Sequence, residues 1–447
     1  MLTALLVVAL GGGPSIGMRQ GNGPSIGIIG PNVRPNIFGP SVAPLPVAPE
    51  FSFADSNAYL GYAAYAGLPA TDGCHPGASI TNTKGDVALT FSRSTTSFCP
   101  VDTGNQASGT TCAVDEACII DRKLQIFRQY SNQVTASEQF EQGWWIKYGA
   151  GGGSAAVVTA DDAVAPDGTT TADKVVVTAC PGSGDYSVVY ANLGGPAICS
   201  WSIWLKGSGT ISLYYYSPSA NVATPITLTA DWKRWTVSNV ACAAGASGPG
   251  FGCNNAPGYT GSSNTGAATF WAWGASVTDG MHYEVPYHKT SIFGGEARTA
   301  DIAYFTYASP FNPVSMAATA SYDTTLPRSA TNFHGYLEVY ETFFNFIRMY
   351  NPNTTDVRCM ITAGGSELSD KATVDGTDRV ACNYSAAAGI SVCLDGSCAT
   401  PAPAGAYAAT GSRFYIGQSN VSGYATDGLI SNVCLSSTLG ACDSTPY

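Results

Sequence analysis

The sequence predicts an all-β protein, on three observations. Charged residues make up only 11% of the chain, while Tyr (24) far outnumbers Met (6). Gly is abundant, at 51. Sparse charge with many β-formers and turn formers describes short strands joined by loops. Finally, no long stretch combines helical periodicity with ion pairs. At 447 residues the chain exceeds one core and fits about two to four domains.

Charge narrows the function. With 20 Lys+Arg against 31 Asp+Glu the formal net charge is −11. No basic stripe exists, so a phosphate backbone is repelled and nucleic-acid binding is not expected. The apolar run Leu2–Leu10 is far short of the roughly 20 residues that span a bilayer. It also lacks the positive flank of a signal peptide. It reads as part of an arm buried against a partner subunit, with an uncleaved membrane anchor as the lesser alternative.

Residues 1–50 form that arm, irregular and rich in Pro and Gly. Gly13-Pro14-Ser15-Ile16-Gly17 nearly repeats as Gly23-Pro24-Ser25-Ile26-Gly27, with an echo at Gly39-Pro40-Ser41-Val42. So much Pro and Gly prevents a helix and disfavours a central strand. Its Leu, Val and Ile need a neighbour to cover them, so the arm is expected to lie extended on another subunit. The repeat also matches a G-x-S-x-G nucleophile elbow. The proline beside the serine, the duplication and the lack of a following helix all argue against catalysis.

The 14 cysteines fall into three regional sets. Cys74, Cys99, Cys112 and Cys118 come first, then Cys180, Cys199, Cys242 and Cys253, then Cys359, Cys382, Cys393, Cys398, Cys434 and Cys442. Each set is even, as closed disulfide sets are. Pairing is expected within sets and mostly between sequence neighbours: Cys180–Cys199, Cys359–Cys382 and Cys393–Cys398. Zinc competes, but no Cys-x-x-Cys is present and His75, His282, His288 and His334 stand far from ligand spacing. No metal and no cofactor is therefore expected. Disulfides imply an oxidising destination.

Residues 51–130 read as a loop-rich connector. Within it, Ala88-Leu89-Thr90-Phe91-Ser92-Arg93-Ser94-Thr95-Thr96 resembles the F-[ST]-R-[AS]-[ST] segment of many tailed-phage virion proteins. Leu124-Gln125-Ile126-Phe127-Arg128 resembles the family's apolar strand before its N-L-L segment. Residues 131–295 then resemble the family's carbohydrate-binding-module-like β-sandwich. Asn132-Gln133-Val134 to Phe140 with Trp144-Trp145 matches its opening. Ala165-Pro166-Asp167-Gly168-Thr169 and Thr171-Ala172-Asp173-Lys174-Val175 match A-P-D-G-T…A-D-K. Trp201-Ser202-Ile203-Trp204-Leu205-Lys206 and Leu228-Thr229-Ala230-Asp231-Trp232-Lys233-Arg234 follow in order. The set closes at Trp273-Gly274-Ala275, and Arg298-Thr299-Ala300-Asp301 leads into the next domain. Strand alternation agrees: Trp201, Ile203 and Leu205 share one face, Ser202, Trp204 and Lys206 the other.

Residues 305–447 resemble a laminin-G/concanavalin-type jelly roll. Tyr336 to Tyr340 and Phe343 to Ile347 supply two strands. Ile390 to Gly396, Phe414-Tyr415-Ile416-Gly417 and Asp427 to Val433 match the family's hairpin and closing strands. The resemblance thus implies two tandem β-sandwiches of jelly-roll type after an extended N-terminal arm.

Some concanavalin-type folds hydrolyse glycosides with two carboxylates about 5–5.5 Å apart. No E-x-D-x-x-E is present. Glu338 and Glu341 fall on opposite faces of a strand and are expected to face solvent or a neighbour. Lectin-like binding instead uses aromatic platforms, for which Tyr214, Tyr215, Tyr216, Trp271 and Trp273 are the candidates, each weighed against core or interface packing. Asp161-Asp162 is a weaker Ca²⁺ candidate, with a solvated turn as its simpler reading. The sequons at Asn353, Asn383 and Asn420 matter only in a secretory host.

The resemblance implies a non-enzymatic structural component at the surface of a tailed-phage particle: a fibre, spike, collar, tail or head-decoration protein. Its implied partners are other virion proteins through the arm, two further copies in a homotrimer, and a host-surface glycan. The alternative is a secreted cellular adhesin or glycan-active enzyme.

Overall fold

The computed structural model describes most of residues 72–436, with gaps at several loops; residues 1–71 and 437–447 lie outside the described residues. The expected arm is thus outside them, as is Cys442. The fold is all-β: apart from a single 3-10 turn at Gly77–Ser79, every regular element among the described residues is a strand.

Two sandwiches account for nearly all the strands. The first pairs a sheet ordered Lys233–Ala241, Ile198–Ser208, Ala268–Asp279, Ala172–Val177, Val157–Ala163 with a five-stranded sheet ordered Val222–Thr227, Thr210–Tyr216, Gly248–Asn254, Tyr186–Ala191, Trp145–Ala150. Trp201, Ile203, Leu205, Leu213, Tyr215, Phe251 and Phe270 fill the space between them. The alternation expected for 201–206 holds, because Trp201, Ile203 and Leu205 share that core. The opposite face is also covered: Trp204 is buried in a second cluster with Phe98, Trp273 and Tyr287.

The second sandwich differs from the linear order expected. One sheet runs Gly73–Pro76, Glu116–Ile120, Lys123–Ile126, Gly428–Ser436, Ser315–Tyr322, Arg379–Ser385, Gly389–Leu394, Ser397–Cys398. The other runs Thr90–Ser92, Ile302–Phe311, Gly411–Ile416, His334–Thr342, Asn345–Asn351, Asp356–Ala363, Ser366–Thr373. The segment read as a loop-rich connector therefore supplies four strands to this sandwich, and its Ile80, Leu89, Phe91, Ile119, Leu124 and Ile126 lie in the same core as Phe305, Leu337, Ile361 and Ile416. These strands are three to five residues long, too short for their periodicity to stand out. The first sandwich is an insertion between Ile126 and Ile302, and its entry and exit strands, Tyr130–Asn132 and Glu296–Arg298, pair antiparallel.

Where the chain leaves and re-enters, Asp301 holds two arginines. Arg298 Nη2 lies 2.7 Å from both Asp301 carboxylate oxygens, and Arg93 Nη1 lies 3.2 Å from Oδ1. The three side chains are at most 1% exposed. Asp301 Oδ2 also accepts the Phe127 backbone N–H at 2.8 Å. Arg93 Nη2 donates to the carbonyls of Ala113 and Glu116 at 3.2 and 2.9 Å, and Arg298 Nε donates to Ser97 Oγ at 3.1 Å. Thr299 Oγ1 meets Ser94 and Thr95. The F-S-R-S-T and R-T-A-D motifs, about two hundred residues apart, thus form one buried cluster. Burial depresses the Arg93 pKa, and the Asp301 charge opposes that drop.

The disulfides among the described residues stay within their regional sets. Cys359–Cys382 and Cys393–Cys398 form as expected, the former joining the two sheets of the second sandwich. Cys180 pairs with Cys253 and Cys199 with Cys242, not Cys180 with Cys199. The reason is strand order: Cys199 and Cys242 sit at the same end of adjacent strands, whereas Cys180 follows one sheet and meets Cys253 on the other. Cys74–Cys112 and Cys99–Cys118 complete the first set. The Cys434 side chain lies outside the described residues.

Removing Asp301 leaves two buried guanidiniums without their shared counter-ion, which costs about 3–5 kcal/mol. Asp301→Ala is expected to lose that much in chemical denaturation. Arg93→Met combined with Asp301→Leu should lose clearly less than the two single variants summed; strict additivity would show that the charges are not coupled.

Candidate functional site

The expected aromatic candidates separate into core and surface. Tyr215 is fully buried among the first-sandwich core residues. Trp273 is also buried, against Trp204 (ring centroids 5.2 Å apart) and Tyr287 (4.9 Å), with its indole N–H donating to Thr171 Oγ1 at 3.0 Å. Gly274 beside it has φ +65°, and a Cβ there would stand 2.9 Å from the Trp204 ring. The W-G-A motif is therefore a packing device: the glycine lets the strand bulge so that the two indoles meet. Trp271 is half-buried, and its indole N–H donates to Asp162 Oδ2 at 2.8 Å. Asp161 and Asp162 lie in the strand Val157–Ala163, not in a turn. The Tyr216 side chain lies outside the described residues. These buried rings present no open face, so Tyr215 and Trp273 are structural.

Tyr214 points the other way. Strand register aligns Ile146, Tyr190, Gly250, Tyr214 and Ala223 across the outer face of the five-stranded sheet. Tyr148 and Val188 occupy the next row, and Tyr186 the row after. A Cβ on Gly250 would come 2.2 Å from the Tyr214 ring, so that ring lies directly on the Gly250 backbone. Beyond it, Tyr148 packs against Tyr186 and Tyr190 at 5.9 and 6.4 Å between centroids. Tyr148 is 45% exposed and neighbouring Trp144 is 58% exposed. Tyr214 itself is buried, at 4% exposed, so the open part of this tyrosine face is Tyr148, beside the half-buried Tyr186 and Tyr190. Flat aromatic rings with hydroxyls at their edges suit a ligand that is apolar on its ring faces and polar at its rim.

Sequence reasoning missed Tyr148, Tyr186 and Tyr190 because they come from two strands about forty residues apart. The available signal was Tyr186 and Tyr190 four apart on one strand, which places both on the same face.

Two charged groups, Lys147 on the edge strand Trp145–Ala150 and Asp173 on the facing sheet, hold the segment around Phe140 that leads into that strand. Lys147 Nζ lies within 3.2 Å of the carbonyl oxygens of Phe140, Glu141, Gln142 and Trp145. Asp173, 1% exposed, accepts the backbone N–H groups of Phe140 (2.7 Å) and Asp161 (3.0 Å). Burial pushes the Asp173 carboxyl up to about 7, and the nearby Glu141 charge pushes the same way, against the pull of the two N–H groups.

In the second sandwich the carboxylate expected at the surface is inside. Glu338 is 1% exposed and its Oε1 accepts Arg348 Nε at 2.9 Å. The cross-strand register places Glu338 directly opposite Arg348, and this pair explains why an acidic residue can be buried there. The Glu341 side chain lies outside the described residues.

Comparison with known proteins finds no matching family model and no matching curated protein. Among solved structures the chain is similar to domains LG4-5 of the mouse laminin alpha1 chain, with a TM-score of 0.24 and 12% identity over 54% of this chain and 82% of that one.

A carboxyl whose folded pKa exceeds the unfolded value of about 3.9 contributes stability that is complete below that value and lost as pH rises through about 7. The first sandwich is therefore expected to melt several degrees lower at pH 8 than at pH 5. Asp173→Asn should flatten that slope whatever its own baseline stability. An unchanged slope would reassign the titration.

Proposed function

We propose that the protein is a non-enzymatic structural component of a tailed-phage particle, a fibre, spike or decoration that displays two β-sandwiches. The observation that carries this reading is the convergence of the F-S-R-S-T and R-T-A-D motifs, which carry the phage resemblance, in the buried Arg93–Asp301–Arg298 cluster. They would serve as the joint of a displayed module. Cross-linking supports it too: six disulfides among the described residues of a chain with short strands suit survival outside a cell. The arm would attach the protein to neighbouring virion subunits, within a homotrimer. The tyrosine face around Tyr148 would be the contact for a host-surface glycan, since sugar rings have apolar faces and hydroxyl rims.

The rival reading is a secreted adhesin or glycan-active enzyme. Because residues 73–126 complete the second sandwich, tests need the full chain. Purified particles should contain the protein by peptide mass spectrometry, and deleting residues 1–45 should abolish incorporation while leaving a folded, soluble chain. Normal incorporation of the deleted form would overturn the anchoring role. Full-length protein is expected to bind host cells or a glycan array, with Tyr148→Ala plus Tyr186→Ala weakening binding at least about tenfold, or 1.4 kcal/mol. Release of reducing ends from host polysaccharide would overturn the non-enzymatic assignment.

A further inference from the structure

One disulfide differs from the others in where its sulfurs lie. Cys393 and Cys398 stand directly opposite each other in the pair Gly389–Leu394 and Ser397–Cys398, and Ser397–Cys398 is the last strand of its eight-stranded sheet. Cys398 is exposed, whereas Cys393 is 2% exposed. In the other disulfides among the described residues, every cysteine except the half-buried Cys74 is at most 1% exposed. Asn383 Nδ2 donates to Cys393 Sγ at 3.3 Å. Ile390 and Val392 turn into the core, so alternation puts Cys393 on the outer face of the sheet. The bond therefore ties an edge hairpin from outside and crosses no core.

We propose that Cys393–Cys398 is a thiol-exchange site, at which a low-molecular-weight thiol attaches to Cys398 with Cys393 as the leaving group. Exchange requires a thiolate to reach a disulfide sulfur, so access decides which sulfur is attacked. Of these two, the Cys398 side is the open one. The incoming sulfur forms a bond to Cys398 Sγ as the Cys393–Cys398 bond breaks. The electron pair passes to Cys393 Sγ, which takes a proton from water. One disulfide is lost and one is formed, so the thiol is the sole co-reactant. A hydrogen bond favours the charged form of the group that receives it, so the Asn383 amide promotes departure of the Cys393 thiolate. The return step is the reverse and needs no oxidant: the Cys393 thiolate attacks Cys398 Sγ and expels the external thiol. The hairpin keeps the two sulfurs in reach, through the turn at Asp395, φ +47°, and the Ala399 N–H bond to the Val392 carbonyl at 2.9 Å. The bond also closes the shortest loop among the described disulfides, with a sequence separation of 5, so its opening costs the fold least.

The test uses full-length oxidised protein with reduced glutathione in large excess as the probe. Samples are quenched with acid over time, free thiols are alkylated with a maleimide, and each cysteine is mapped by tandem mass spectrometry. Glutathione on Cys398 and alkylation of Cys393 are expected at least about tenfold sooner than any change at the buried disulfides. Removing free glutathione by gel filtration should close the Cys393–Cys398 bond again and release the adduct. An adduct on Cys393, a buried disulfide that opens as fast, or no exchange at all would overturn the proposal. An adduct that persists beside a free Cys393 would overturn the return step. Asn383→Ala should slow attachment about three- to tenfold, the loss of one ordinary hydrogen bond; an unchanged rate would remove Asn383 from the mechanism. The wild-type mapping needs no variant, so it decides the site even if Asn383→Ala fails to fold.

Discussion

The buried carboxylate of Asp301 is the constraint on which the rest of the architecture depends. It sits where the inserted sandwich returns to the outer one, and it binds both Arg93 before the insertion and Arg298 at its end. Two guanidiniums around one carboxylate leave a net positive charge in the interior, which the carbonyls of Thr95, Ala113, Glu116 and Thr299 offset. Such a cluster adds little stability over a well-packed apolar one, but it tolerates few alternative arrangements. That property fits a joint, where three segments distant in sequence must meet in one register.

Around the joint, aromatic packing extends the same logic. Phe98, from the hairpin Ser97–Pro100 and Gly109–Cys112, packs edge-on against Trp204 and tilted against Trp273 of the first sandwich, at 5.1 and 5.7 Å between centroids. Tyr287, from the segment that leads out, packs on both. Arg234 lies over Trp204 at 4.4 Å and is paired with Glu284. The outer face of this sheet is thereby closed by the chain itself, which leaves the five-stranded sheet as the side with an exposed aromatic surface. Burial of one tryptophan pair and exposure of one tyrosine group follow from the same topology.

The insertion also explains the distribution of cross-links. The strand Gly73–Pro76 is only partly buried, and its disulfide to Cys112 compensates by restricting the unfolded chain. Within the sandwiches, Cys180–Cys253 and Cys359–Cys382 link facing sheets, where a slip would cost the core most. Cys199–Cys242 and Cys393–Cys398 instead secure neighbouring strands in one sheet.

The sequence by itself determined the all-β class, the inward set Trp201, Ile203 and Leu205, and the confinement of disulfides to three regions. These follow from residue alternation, composition and count, which are local properties. It also located the motifs at Arg93, Gly274 and Asp301 without showing that Arg93 and Asp301 touch. Only the tertiary structure decided that residues 73–126 complete the second sandwich, that Cys180 meets Cys253, that Glu338 is buried with Arg348, and that Tyr148, Tyr186, Tyr190 and Tyr214 share a face. Each of these depends on which strands become neighbours across long separations. Strand order is set by the total burial of two cores, and no window of sequence contains that sum.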